Sequence, residues 1–361
     1  MTLILGIETS CDETAAAVVE HGRAVRSNII ATQHELHEKY AGVVPEIASR
    51  AHLERIMPVI EQALETAGCT LHDITAIAVG NRPGLVGSLL VGVSAAKALA
   101  WATNKPLIGI DHVRAHLYAA LLVDDKTPDP PATVDEVYPA LGLVVSGGHT
   151  NLYDVPSPLS ASLLGRTIDD AVGEAFDKAA VILGLGFPGG PAIDKAAQRG
   201  DATAHRLPRS LLEAESLDFS YSGLKTALLY AVQGKPVGRG SDARFERSHE
   251  DLSDQQRDDM AASFQAAAIE PVIIKLQRAV EQLRSLGRGP RSLIIGGGVC
   301  ANSLLRRRAL ELGASHDLRI LLPRMVYCLD NAAMIAGLAH HHYTDHHFDD
   351  LDLPAIATTA M

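Results

Sequence analysis

Two stretches of this chain share one pattern: a short apolar run, a tip of small and polar residues, and a second apolar run. The first is Leu3 to Ile7, then Glu8-Thr-Ser-Cys-Asp-Glu-Thr14, then Ala15 to Val19. The second is Ala140 to Val145, then Ser146-Gly-Gly-His-Thr150, then Asn151 to Val155. Runs of this length bounded by turn residues read as strands, and each pair as a hairpin. One hairpin near the start of each half predicts an internally duplicated fold. Further strands are expected at Ile74 to Val79, Leu107 to Ile110 and Ser292 to Ile295. Helical patterns cover Leu85 to Ala102, Ile168 to Leu183, Ala192 to Gln198 and Met260 to Leu286. Strands alternating with helices predict an α/β architecture.

Composition narrows the class of function. With 47% hydrophobic and 21% charged residues, the chain is neither disordered nor fibrous. At 361 residues it has room for two domains or one bilobal unit. Only 4% of residues are aromatic, so the core must be aliphatic. A net charge of -11 argues against coating nucleic acid by bulk attraction and leaves a local basic groove as the alternative. The four cysteines lie far apart without a C-x-x-C, which suits a reducing compartment. The first residues lack a basic start, and Lys97 interrupts the longest apolar stretch, so a signal peptide and a membrane span are not expected. Leu85 to Ala102 reads instead as a buried helix, and the protein as cytoplasmic. The acidic, proline-rich Asp124 to Pro131 reads as a connection between lobes, and Gly234 to Ser248 as a surface insertion.

Three glycine-rich loops and one histidine pair carry the chemistry. Gly296-Gly-Gly298 follows an apolar strand and precedes a helix, where backbone N–H groups can approach a nucleotide; a tight turn is the simpler alternative. Ser146-Gly-Gly-His-Thr150 adds a second such loop, and Phe187-Pro-Gly-Gly-Pro191 either a third or a plain helix break. Asp111 can cap a helix that places His112 and His116 one turn apart on one face, where two imidazoles can share a metal. Among 16 histidines chance supplies roughly 0.7 pairs of this spacing, so position decides: this pair begins at the end of a strand. Asp330, just before the apolar helix from Ala332, is the candidate third ligand or, alternatively, the cap of that helix. Two histidines and a carboxylate suit Fe(II) or Zn(II).

A larger set of segments occurs in order: Gly6-Ile-Glu-Thr-Ser-Cys-Asp-Glu-Thr14, Gly42-Val-Val-Pro-Glu-Ile-Ala-Ser-Arg50, His112-x-x-x-His116, Val145-Ser-Gly-Gly-His-Thr150, Gly173-Glu-Ala-Phe-Asp-Lys178, Pro188-Gly-Gly-Pro191, Phe219-Ser-Tyr-Ser-Gly-Leu-Lys225, Gly296-Gly-Gly-Val-x-Ala-Asn302 and Asp330-Asn-x-Ala-Met-Ile-Ala336. Together they resemble the bacterial tRNA N6-adenosine threonylcarbamoyltransferases, the TsaD or glycoprotease-like family, from about Leu3 to Leu338. The resemblance implies the two-lobed actin and hexokinase-like (ASKHA) α/β fold, built from duplicated ribonuclease-H-like subdomains. It implies transfer of a threonylcarbamoyl group from threonylcarbamoyl-AMP to N6 of adenosine 37 in tRNAs reading codons that begin with A. Carried over by position, it implies a metal, Fe(II) or Zn(II), on His112, His116 and Asp330. It likewise implies substrate contacts at Val144, Val145, Ser146, Gly147, Gly148, Asp177, Gly190, Asp194 and Asn302. No general base is assigned. The implied partners are tRNA, a TsaB-like paralogue and a TsaE-like ATPase, with no membrane.

The expected lobes are 1–123 and 139–330, joined by 124–138, with the insertion at 234–248 and a helix over 331–347 packing back on the first lobe. Asn81-Arg-Pro-Gly84 departs from the family's usual Gly-Pro-Gly, and the tail His340-His-His-Tyr-Thr-Asp-His-His347 is also unusual. Two alternatives stand beside the transferase: a small-molecule kinase of the same fold, for which two histidines make a poor Mg²⁺ site, and a non-catalytic scaffold, which would be expected to lose the ligand set. A metalloprotease is excluded, because His112-Val-Arg-Ala-His116 lacks the glutamate of H-E-x-x-H. Arg306-Arg-Arg308 and Arg278, Arg284, Arg288 and Arg291 are candidate phosphate contacts or simply solvated helix faces.

Overall fold

The computed structural model describes residues 1–37, 40, 42–127, 133–210, 213, 215–238 and 244–358. Parts of the expected connection (128–132) and insertion (239–243) lie outside the described residues. The chain divides into two units: Met1–Tyr138 with Pro156–Ala161 and Pro323–Met361, and Pro139–Val155 with Ser162–Leu322. Residues 323–330, set with the second half from sequence, group with the first unit.

In the first unit, β1 (Leu3–Glu8), β2 (Glu13–Glu20), β3 (Ala24–Thr32), β4 (Ala76–Arg82) and β5 (Leu107–Asp111) form one sheet in the order β3-β2-β1-β4-β5. β1 runs antiparallel to β2 and parallel to β4. The helices are α1 (His34–His37), α2 (Pro45–Ala67), α3 (Val86–Thr103), α4 (His112–Tyr118) and α5 (Val134–Val137). In the second unit, β6 (Ala140–Val145), β7 (Thr150–Ser157), β8 (Ser160–Arg166), β9 (Ser292–Gly296) and β10 (Arg319–Leu321) take the order β8-β7-β6-β9-β10. Its helices are α6 (Val172–Leu183), α7 (Gly189–Ala197), α8 (Ser222–Gln233), α9 (Asp254–Ser285) and α10 (Ser303–His316); α11 (Ala332–Thr344) belongs to the first unit. The two sheets therefore share one connectivity: a hairpin, a third outer strand, then two strands parallel to the first.

Alternation along a strand decides which residues meet which helix layer. Leu3, Leu5 and Ile7 join Ile56, Val59 and Ile60 of α2 and Val93 and Ala96 of α3 in one aliphatic core. From the opposite face of β1, Gly6 meets α11: a Cβ there would lie 2.3 Å from the Ala332 carbonyl oxygen. Only glycine lets that helix approach so closely.

The structure adjusts several sequence expectations. Helix α6 begins at Val172, because Ile168 to Asp170 forms a bend held from outside the helix: Ile168 N–H donates to the Phe219 carbonyl, and Asp169 accepts from Tyr221 N–H and Ser222 Oγ at 2.8 and 2.7 Å. Helix α7 starts earlier than expected, at Gly189. Helix α9 starts at Asp254, capped by the reciprocal bonds of Ser253 and Gln256. By length and composition α3 could cross a membrane, yet it packs on β4 and α2. It is buried on one face only, with Val86, Leu90 and Trp101 exposed, rather than buried throughout.

Candidate active site

The three expected metal ligands come together within the first unit. Asp111 Oδ1 accepts from Val113 and Arg114 N–H at 3.0 and 3.2 Å, which starts α4 directly at the end of β5. His112 and His116 then lie one turn apart, with ring centroids separated by 4.7 Å. Asn331 caps α11 by accepting from Met334 N–H at 3.0 Å, so Asp330 is not the cap and its carboxylate turns to the histidines. Asp330 Oδ1 lies 3.5 Å from His112 Nε2 and 3.2 Å from His116 Nε2, and one ligand atom from each residue falls within 4.8 Å of the others.

Glu8 is the residue that sequence reasoning missed. It ends β1 fully buried, accepts from Ser10 N–H at 2.5 Å through Oε1, and places Oε2 3.0 Å from His112 Nδ1. Gly80 makes room for this carboxylate, since a Cβ there would lie 2.5 Å from Oε2. Ser10 Oγ also reaches His112 Nδ1, at 3.2 Å. With Nδ1 turned to Glu8, Nε2 faces Asp330, where a metal ion would take the place of the second ring proton, the arrangement of a metal-binding histidine with an outer carboxylate. The signals for it were a charged residue ending an apolar run and its place in the segment Gly6 to Thr14, neither of which ties it to His112.

The electrostatics fit a cation. Burial opposes charging His112, but Glu8 and Asp330 outweigh it and raise its pKa well above the usual imidazole value. Burial pushes His116 down. Asp330 lies well below the ordinary carboxylate range: burial raises it, and the histidines, His112 first, more than compensate. Both ring nitrogens of His116 are buried without a hydrogen-bond partner, Nε2 lying near Asp330 without bonding geometry. A divalent ion would satisfy such an orphaned nitrogen, and the N,N,O donor set suits Fe(II) or Zn(II).

Beside this set lies the tip of the first hairpin. Asp12, Glu13 and His34 bring three further ligand atoms within 4.8 Å of one another. Burial and Asp12 push the Glu13 carboxyl up to about 9, and burial followed by Asp12 pushes the Cys11 thiol up, which disfavours a thiolate. The tip is held by His52 of α2, which bonds the Cys11 carbonyl through Nε2 at 3.0 Å and Thr14 Oγ1 through Nδ1 at 2.7 Å.

The other expected site residues belong to the second unit. Val144 and Val145 end β6 fully buried. Ser146 N–H donates to the His149 carbonyl at 2.8 Å, closing the second tip, and Ser146 Oγ accepts from His149 N–H at 3.1 Å. Gly147, Gly148 and Gly190 face open space, with nothing within 4 Å of an added Cβ. Gly297 differs: at φ 89° its Cβ would lie 2.4 Å from the Val145 carbonyl oxygen, so the glycine loop after β9 sits against the second tip. Asp177 accepts from Gly189 N–H at 2.8 Å, and Asp194 from Ser303 Oγ at 2.7 Å. Asn302 caps α10 through Leu305 N–H at 3.0 Å and donates to Gln265 Oε1 at 2.8 Å. These three polar side chains fasten the loops, while the glycine backbones present open surface.

The family model described as tRNA N6-adenosine threonylcarbamoyltransferase, TsaD, matches residues 24–337. The chain belongs to this family. Threonylcarbamoyltransferases of that name from Symbiobacterium thermophilum and Rhodopirellula baltica are each 49% identical to it, over 98% and 97% of this chain and 95% of each relative. This TsaD-family chain also resembles in fold the crystal structure of full-length HypF in its phosphate- and nucleotide-bound form, with a TM-score of 0.55 and 12% identity over 96% of this chain and 47% of that one. Its fold is thus the duplicated α/β fold of the ASKHA class, and its reaction is acyl transfer: a threonylcarbamoyl group passes to N6 of adenosine in tRNA. The kinase and scaffold alternatives give way to that assignment. In the histidine-rich tail of this TsaD-family chain, His341 Nε2 meets Tyr118 Oη at 2.9 Å and His340 stacks edge-on to His21, both packing roles.

Proposed function

We propose that the acyl donor is threonylcarbamoyl-AMP, that the acceptor is adenosine 37 of tRNAs reading codons that begin with A, and that His112, His116 and Asp330 hold one Fe(II) or Zn(II) ion. The observation that carries the metal reading is the convergence of three ligand atoms on one buried point, with Glu8 behind His112 and His116 otherwise unpartnered. Such an ion, when bound, supplies Lewis-acid polarisation of the threonylcarbamoyl carbonyl. Glu8 keeps the Nδ1 proton in place and so fixes the ligand face of His112. The backbones of Gly147, Gly148 and Gly190 give an adenylate a close approach, and Asp177, Asp194 and Asn302 hold their loops in shape. The N6 nitrogen attacks the carbamoyl carbon, the bond from that carbon to the phosphate oxygen breaks, AMP leaves, and N6 loses a proton. Orientation of an already activated acyl group supplies much of the rate.

The proposed setting is the cytoplasm, with a TsaB-like paralogue and a TsaE-like ATPase. In support of a protein partner, the outer face of α2 and α3 exposes Leu53, Met57 and Leu90 around a shallow apolar groove. The proposed phosphate contacts are partly neutralised: Arg308 pairs with Glu311 at 3.1 Å and Arg288 with Asp154 at 2.8 Å. A limited tRNA contact is what a chain of net charge -11 permits.

The test supplies the acyl-adenylate, the two partner proteins and unmodified tRNA, followed by nucleoside mass analysis. Threonylcarbamoyladenosine at position 37 is expected; a folded, metal-loaded protein that forms none overturns the reading.

A further inference from the structure

The segment after α11 returns to the site by a route that no motif announces. Asp349 N–H donates to the Leu107 carbonyl at 2.8 Å, and Gly109 N–H donates to Asp349 Oδ2 at 2.8 Å, so the segment joins the outer edge of β5. Leu353 is 4% exposed and enters the aliphatic core over Gly109, where a Cβ would lie 2.7 Å from its Cδ1. Beyond this plug the chain grips the end of β4 and the turn that follows it. Asn81, 1% exposed, donates from Nδ2 to the Pro354 carbonyl at 3.0 Å, and its own carbonyl accepts from Ile356 N–H at 2.9 Å. Gly84 N–H reaches the Ala357 carbonyl at 3.4 Å.

The same segment touches the metal set's support. Leu85 N–H donates to the Ser10 carbonyl at 2.9 Å, and Gly84 packs so closely on Ser10 that a Cβ would lie 2.5 Å from that oxygen. Ser10 Oγ in turn lies 3.2 Å from His112 Nδ1. The segment so gripped is Asn81 to Gly84, where this chain departs from the usual family sequence.

We propose that residues 349–357 form a positioning strap that fixes the segment from Asn81, in the end of β4, to Leu85 and, through Ser10, the ring of His112. The strap touches no reacting atom. Asp349 and Leu353 anchor it, while Pro354, Ile356 and Ala357 transmit its position. Edge strands are commonly covered to prevent unwanted pairing, and Asp349 alone would do that for β5. The grip on Asn81 is a separate feature, and a chain that ends at Leu353 separates the two roles.

The inference rests on the transferase activity and on the proposed ligand set. Turnover and metal content of the full chain in the same assay test those independently. Deleting 354–361 keeps the anchor and plug; kcat is expected to fall about 3–10-fold with KM for tRNA unchanged. Hydrogen exchange should quicken at the Leu85 amide, and the melting temperature should move by no more than about 2 °C. Asn81→Ala should reproduce the effect in the full chain, and combining it with the deletion should add little further. Unchanged kcat and Leu85 exchange in the truncated chain overturn the proposal. So does a fall in kcat that only follows the melting temperature, or full additivity of the two changes. If the truncated chain does not fold, Asn81→Ala decides by the same kcat and exchange readouts.

Discussion

The two hairpin tips occupy the same place in two sheets of the same connectivity, yet their chemistry is opposite. The first, Glu8 to Glu13, carries Glu8, Asp12 and Glu13 beside two histidines and Asp330, a setting that favours a cation. The second, Ser146 to His149, offers glycine backbone and no carboxylate, and Gly297 brings a second glycine loop against it. Duplication supplied one geometry, a turn at the end of a sheet; side chains turned one copy toward cation binding and the other toward close backbone approach to a ligand. The lesson is that the tip's backbone sets where a ligand can sit, while its charge sets which ligand.

Removing the cation-binding side chains beside the first tip should have the largest effect. Asp330→Ala or His112→Ala is expected to reduce bound metal to near zero, measured by elemental analysis, and turnover by more than about 10³-fold. Unchanged stoichiometry would reject these ligands. Glu8→Gln is milder, because it preserves size and an acceptor for Ser10 while weakening the hold on the Nδ1 proton. Metal affinity should drop roughly 10–100-fold, read by competition with a chelator.

The second tip sharpens the comparison through two glycines. Gly297→Ala forces a Cβ onto the Val145 carbonyl oxygen at a positive φ, so urea melts should show a loss of about 2–3 kcal/mol. Gly147→Ala meets nothing in the protein and should leave stability within about 0.5 kcal/mol. If the Gly147 backbone faces the adenylate, the same change weakens AMP binding, measurable by calorimetry. Equal stability losses at the two positions would break the distinction between a packing glycine and a ligand-facing one.

Much of this contrast was legible before the fold was known, for physical reasons that differ by element. The paired strands at each tip have faces that are buried on both sides, so their apolar runs stand out: every residue of β1 and β6 is buried. The strands β3, β8 and β10 went unseen because they flank the sheets and carry Arg26, Ser27, Ser160, Ser162 and Arg319. The start of α9 was hidden by its polar first turns, although Ser253 and Gln256 spelled out the capping box. His112 and His116 were marked by spacing and Asp330 by position. Glu8 and the strap on Asn81 depend on contacts across 104 and 273 residues of sequence, which no local pattern encodes.

The smallest predicted effect concerns the two ends of α11, where histidine chemistry again divides by surroundings. Its start follows Asp330, which against the burial of His112 joins Glu8 in raising that pKa; its end carries His341, lowered to about 4 by burial first and then by His340, with Asp345 opposing and His342 adding to the fall. The unfolded chain titrates His341 near 6.5. Between about 6.5 and about 4 it therefore binds a proton that the folded chain refuses, and stability is lost as pH falls through that window and is complete above it. His340 and His342, also lowered by burial, act in the same direction. His341→Gln keeps a polar group opposite Tyr118 but cannot titrate. Its melting temperature should therefore fall less than that of the unaltered chain between pH 7 and pH 5, by about 1–3 °C. Parallel curves for the two proteins would show that His341 carries no pH-dependent stability of its own and that its burial against Tyr118 is packing alone.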